Sequence, residues 1–366
     1  MKPKRTEAIL AMHRAGRVRA VEAAQRLVYK AENPDEARAL LVRSHAETPD
    51  AEVLEAHGNL CAMLGEDMLA DAAHAACLFR FGQLHYTNLI RLGYPGHWAV
   101  IDAARQVLYI PISKCANTTV RNYLDIAAGG RDRGTQVHRG MGLGMALVHA
   151  ADLTTRYAGW LKFAVIRDPI DRLASYHGHN IAEGTLRRAT FNLAEYDGLS
   201  TAPGAAQMAL NHARYRRLFL DYRHHTDPMS GYLGPFVGRD PEFLIFTMRG
   251  LDRLRAMIED RYGVRLEPKR DMATSRSAGE TAAARAALEP LREFYAEDDR
   301  LFGAVLAQGG DEPVVIDKVW TPPTPGNWLT VAGVVRDPAP IKALPLSVLR
   351  AARRVRRLAR RLRLAR

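Results

Sequence analysis

Residues 107–123, VLYIPISKCANTTVRNY, place a lysine, an asparagine and two threonines between two regular patterns. The first is an apolar run suited to a buried strand. The second, with Val120, Leu124 and Ala127 on one face, has helical spacing. A strand feeding a helix through a short loop of small and hydroxyl residues aims backbone N–H groups and the helix dipole at one point. That chemistry binds anions, phosphate or sulfate esters above all. Lys114 adds a flexible point charge that can follow charge moving during group transfer. The plainer reading is a strand–turn–helix with a solvated lysine and Thr118 as a helix cap. The loop is not a Walker A sequence, since no glycine lies between Trp98 and Asp125.

A second segment, residues 161–180, reads LKFAVIRDPIDRLASYHGHN. Apart from Lys162 its opening is continuously apolar, as a strand buried on both faces requires. Arg167 stands at the strand's end. Asp168 suits a helix cap and Pro169 a first helical turn, after which Leu173 and Tyr176 share a face. A helix folding back from the strand would let Arg167 and Ser175 hold one phosphate, by a bidentate fork and a hydroxyl. The competing reading is an ion-pair knot among Arg167, Asp168 and Arg172.

Together, SKCANTT and VIRDPIDRLASY resemble the two cofactor signatures of sulfotransferases that use 3′-phosphoadenosine 5′-phosphosulfate (PAPS). The likeness is to the carbohydrate branch, the Golgi-type, family 2-like enzymes, in a bacterial-type form. It spans roughly residues 96–306 and is strongest at these two segments. It implies that Lys114 lies against the 5′-phosphosulfate, cradled by Cys115, Ala116, Asn117, Thr118 and Thr119. It further implies that Arg167 and Ser175 hold the 3′-phosphate, and that no metal is required. Two departures stand out: Ser113 replaces the usual proline before the lysine, and Tyr176 follows Ser175 without a spacer. Some enzymes of this branch carry a catalytic histidine between the signatures. His149 is therefore the first expectation for the general base and His138 the second, with His225, Glu183 and Asp197 as further candidates. Arg276 is a weaker nucleotide contact.

Around these segments the expected fold is α/β, a P-loop-like parallel sheet flanked by helices, with an all-α N-terminal region. Residues 1–92 are rich in Ala and Leu and broken at Asn33-Pro34 and Thr48-Pro49. They suggest tetratricopeptide-like hairpins, or a cap packed on the catalytic part, although no clean period of about 34 residues appears. The α/β domain is expected over 96–310, with a mobile glycine-rich loop over 127–150 that holds His138 and His149. A Pro-rich extension over 311–345 and a basic amphipathic tail over 346–366 follow.

Charge is concentrated at that tail. The net charge is +12, and nine arginines from Leu346 onward leave only about +3 elsewhere. The tail suits an anionic membrane surface or an acidic glycan; no specific nucleic acid is expected. Three cysteines, widely spaced, point to a reducing compartment without a disulfide framework or zinc site. With no apolar run near 20 residues and no signal-peptide core, the expected location is cytoplasmic, peripheral to the inner membrane. The expected activity is transfer of a sulfuryl group from PAPS to a carbohydrate or glycolipid hydroxyl. A kinase-like P-loop enzyme and an inactive helical-repeat scaffold are the alternatives.

Overall fold

The structure is a computed structural model that describes residues 2–181, 186, 198–237, 239–269 and 278–316. Six strands form one sheet: β1 (Gly96–Asp102), β2 (Val107–Ile110), β3 (Gly144–His149), β4 (Leu161–Ile166), β5 (Leu244–Thr247) and β6 (Val314–Val315). Their order is β3-β1-β2-β4-β5-β6. The central strands β2, β4 and β5 are parallel. The outer strands β1, β3 and β6 are antiparallel to their neighbours, so the sheet is mixed rather than wholly parallel.

The continuous apolar runs of the central strands arise because both sheet faces are covered. Tyr109, Phe163, Val165 and Phe246 pack with Val120 and Leu124 of α7 (Asn117–Ala127) and with Leu254 and Ile258 of the helix Leu251–Tyr262. Leu108, Ile110, Ala164, Ile166 and Ile245 point the other way, onto Tyr232, Leu233, Leu301 and Val305. The exception in sequence, Lys162, is buried with its Nζ 2.8 Å from Asp240 and donating to the Tyr157 carbonyl at 3.0 Å. A lysine is tolerated in a central strand because it is both paired and hydrogen-bonded.

Six helices precede the sheet: α1 (Lys2–Arg14), α2 (Ala20–Ala31), α3 (Pro34–Glu47), α4 (Ala51–Met63), α5 (Asp67–Phe81) and α6 (Tyr86–Arg91). The breaks read from sequence are real caps. Asn33 Oδ1 accepts from Glu36 N ahead of Pro34, and Asp50 Oδ1 accepts from Glu52 N and Val53 N. These helices form no separate body. Leu27, Leu41 and Leu60 share one apolar core with Ile170, Leu173, Tyr176, Phe219 and Leu288, which favours the cap over a detached repeat module. A buried polar cluster fixes α6 beneath the sheet edge: Glu55 accepts from His85 N (2.6 Å) and Asn88 Nδ2 (2.9 Å), and Arg223 donates to Thr87 O (2.7 Å).

Residues 127–150 depart from the expected mobile loop. They contain α8 (Val137–Gly140) and the edge strand β3, which registers Gly96 against His149 and Ile101 against Gly144. Asp125, buried, anchors the stretch by accepting from Gly142 N (2.6 Å) and Arg133 Nε (2.7 Å). Three helices follow in the later chain, Ala205–Leu210, His212–Leu218 and Leu220–Thr226, broken where Asn211 and Phe219 leave helical backbone angles. The α/β part runs past the expected boundary at 310, because Val314 and Val315 of the 311–345 extension pair with β5 as β6. The rest of that extension beyond residue 316, the arginine tail, Glu183, Asp197 and Arg276 lie outside the described residues.

Candidate functional site

Because β2, β4 and β5 are parallel neighbours, the segments after Ile110, Ile166 and Thr247 all leave the same edge of the sheet. Ligands of open α/β sheets bind at that edge, beyond the carboxyl ends of the strands. After β2 the chain makes a tight turn in which Lys114 (φ 64°) and Ala116 (φ 53°) adopt left-handed backbone conformations. Without glycine each costs on the order of 1–3 kcal/mol and persists only where the surroundings enforce it. The enforcement is visible. Arg172, fully buried on α9 (Pro169–Tyr176), donates through Nε to the Ser113 carbonyl (2.9 Å) and through Nη1 to the Asp227 carbonyl (2.7 Å). Ser113 Oγ also meets His224 Nε2 at 2.9 Å, and Cys115 N donates back to Ile112 O.

The turn delivers the chain into α7 with Ala116 at the cap position, where no side chain satisfies the first-turn N–H groups. Ala116, Asn117, Thr118 and Thr119 line a cavity of about 1380 Å³ at this edge. A left-handed turn running into an uncapped helix start makes a concave anion site. Cys115 departs from the expectation: it is buried in the apolar core against Met229, and its N–H is spent within the turn, so it does not contribute to the cradle.

Asp168 caps α9 by accepting from Ile170 N and Asp171 N, both at 2.9 Å, and faces Arg285 and Arg292. The anticipated knot with Arg167 and Arg172 does not form, because Arg172 turns inward and Asp168 pairs across to the later helices. Arg167 is left lining the cavity, and among the described residues it has no hydrogen-bond or ion-pair partner. Ser175, two turns along α9, lines the same cavity, as does Lys114. Lys114 Nζ donates to Asn180 Oδ1 at 2.7 Å. Among the described residues of the lining, five cations, Lys114, Arg121, Arg167, Arg249 and Lys269, face two carboxylates, Asp221 and Asp252. That imbalance favours a ligand carrying several negative charges.

The histidines divide. His149, the first expectation for the base, lies away from the cavity: its Nδ1 caps the turn at Ala151 N (3.1 Å) and its ring meets Tyr94 edge-on, because β3 carries it along the sheet's outer edge. His138 does line the cavity, its Nε2 2.8 Å from Thr118 Oγ1. Desolvation by the cavity walls, then the Arg121 and Lys114 charges, push its pKa down to about 4, although the residue as a whole is exposed. His224 and His225 also belong to the cavity, both driven well below the usual imidazole range: His224 first by burial and then by His85 and Arg172, His225 first by burial and then by His224 and Lys114.

Sequence reasoning missed Tyr86, Arg121, Asn180, Asp221 and Arg249, all of which line the cavity. Tyr86 comes from α6, where nothing in the helical pattern marks it, and packs on His224 with ring centroids 5.3 Å apart. Arg121 was findable: it sits one turn into α7, its Nε bonded to Asn117 Oδ1 at 2.8 Å. Asp221 is a lone carboxylate in a basic helix and carries no sequence signal.

Residues 98–233 match a family model described as Sulfotransferase family, a stretch that starts in β1 and contains both the Lys114 turn and the Arg167–Ser175 segment. No curated protein and no solved structure matches the chain.

Proposed function

We propose that this chain, whose residues 98–233 match a sulfotransferase family model, is a transferase that moves a sulfuryl group from PAPS to a hydroxyl of a carbohydrate or glycolipid. One observation carries the reading: Lys114, Thr118 and Thr119 from one strand end, and Arg167 and Ser175 from the next, line a single cavity. PAPS has phosphoryl groups at both ends of one ribose, and a site for it needs two separated anion grips. The first turn of α7, Lys114 and the two threonines would take the 5′-phosphosulfate; Arg167 and Ser175 would take the 3′-phosphate.

Transfer then needs little covalent chemistry from the protein. The acceptor oxygen attacks sulfur while the bond from sulfur to the 5′-phosphate oxygen breaks, and charge accumulates on the departing phosphate. Lys114 and the α7 N–H groups are set to meet that charge. The acceptor class is supported by Tyr86, His224 and His225, whose ring faces beside a few hydrogen-bonding groups suit a hydroxylated ring. The arginine tail supplies the reason to expect an anionic membrane surface near the acceptor. Among the described residues no helix is long and apolar enough to cross a membrane.

Isothermal titration separates this reading from a kinase-like one or a scaffold. Binding of adenosine 3′,5′-bisphosphate without magnesium, in preference to magnesium-ATP, is the expected result. Preference for magnesium-ATP, or binding of neither, would refute it.

A further inference from the structure

We propose that Asp221 is the group that takes the acceptor's proton, a claim that rests on the sulfuryl-transfer reading and goes beyond it. Asp221 lies on the helix Leu220–Thr226 and lines the cavity that holds Lys114. Its side chain is 36% exposed, enough to be touched by a bound hydroxyl. Tyr176 donates its hydroxyl to Oδ2 at 3.2 Å, and His225 Nε2 stands 3.6 Å from Oδ1. The Tyr176 hydrogen bond holds the carboxylate in place. Lys114 acts on it electrostatically.

The imidazoles are less suited. His224 has Nε2 on Ser113 and Nδ1 sealed from solvent with no hydrogen-bond partner among the described residues. His225 has Nε2 toward Asp221 and Nδ1 equally sealed. His138 has Nε2 committed to Thr118, and its lowered proton affinity makes it a poor base. Burial acts in the opposite sense on Asp221, raising its pKa above the usual carboxylate range, while the Tyr176 hydrogen bond and Lys114 hold the rise back. A carboxylate moved toward neutrality is a better base than an imidazole moved away from it. The groups facing Asp221 are Tyr176 from α9, His225 from its own helix and Lys114 from the turn. Around it, α6 sets His85 and Tyr86 against His224, and Arg216 pairs with Asp227.

The step balances. The acceptor O–H bond breaks and its proton goes to the Asp221 carboxylate as the acceptor oxygen bonds to sulfur. The sulfur–oxygen bond to the 5′-phosphate breaks, its electron pair leaves with adenosine 3′,5′-bisphosphate, and Asp221 later returns its proton to water.

The test uses radiolabelled PAPS with the full chain, scoring sulfate passed to water and to a panel of methyl glycosides, beside calorimetric binding of adenosine 3′,5′-bisphosphate. Asp221→Asn should lower transfer about 100-fold or more and abolish the fall in rate toward acid pH, with bisphosphate affinity within about threefold of wild type. Asp221→Glu should restore part of the rate and the acid limb. Near-wild-type transfer by Asp221→Asn would overturn the assignment, as would the same loss appearing instead in His138→Ala or in His179→Ala, His179 being a further histidine of the cavity lining. A wild type that binds bisphosphate but transfers no sulfate would also overturn it. A wild type that does not bind bisphosphate refutes the underlying reading, and is seen in the binding arm alone.

Discussion

Lys114 and Arg167 are asked to do different work, and their substitutions should separate binding from chemistry. Arg167→Ala removes a charged fork from a phosphate, worth about 1.5–3 kcal/mol, and should weaken bisphosphate binding about 10–100-fold by calorimetry. Lys114→Ala should instead lower transfer about 100–1000-fold while affinity falls less, since its charge matters most as the phosphate departs. An equal loss of affinity in both variants would argue against that division. At this scale the sequence was informative about place: Lys114, Thr118, Arg167 and Ser175, read at a strand end, a helix start or the following helix, line one cavity. It misled at His149, because glycine density in 127–150 suggested a loop where β3 pairs with β1 and carries that histidine outward. Asp221 was invisible, since one carboxylate in a helix implies nothing until the tertiary fold sets it beside Tyr176 and Lys114.

The elements that matter are the Ser113–Ala116 turn and α9, and Arg172 ties them together. It is buried and bonded to two carbonyls from distant segments, Ser113 and Asp227. Arg172→Lys keeps the charge but loses the fork, and should cost about 2 kcal/mol of stability, read in denaturant unfolding, with weaker bisphosphate binding because the turn is no longer pinned. Asp168→Ala removes the α9 cap and should cost about 1–2 kcal/mol. Ser175 rides on α9, so nucleotide affinity should fall too; unchanged affinity would show that α9 is held without its cap. The RDP motif announced the cap correctly. It could not announce that Arg172 would point away from Asp168, because that choice is made by contacts with residues about 55 positions away.

Across the whole molecule, the N-terminal helices share a core with α9 and lend Tyr86 to the cavity, so catalytic part and cap should unfold together. Stability should also depend on pH through buried histidines. Burial lowers His74 to about 3, His97 to about 4 and His212 to about 3, from an ordinary value near 6.5. The folded state therefore keeps them neutral while the unfolded chain takes up protons as pH falls below about 6.5. Their contribution is complete above that pH and is lost progressively toward pH 3–4, on the order of 1–2 kcal/mol per histidine at pH 5. Thermal unfolding should show Tm falling from pH 7 to pH 5, and a flat profile would contradict it. The helical character of 1–92 was legible from composition and breakers. Its docking was not, since the buried Glu55–Asn88 and Arg223–Thr87 bonds join segments that no local pattern relates.

The most direct measurement is a crystal structure of the chain with adenosine 3′,5′-bisphosphate. The 5′-phosphate should lie at the α7 N-terminus against Lys114, Thr118 and Thr119, and the 3′-phosphate within hydrogen-bond reach of Arg167 and Ser175. A nucleotide bound elsewhere, or gripped at only one of these two ends, would contradict the account.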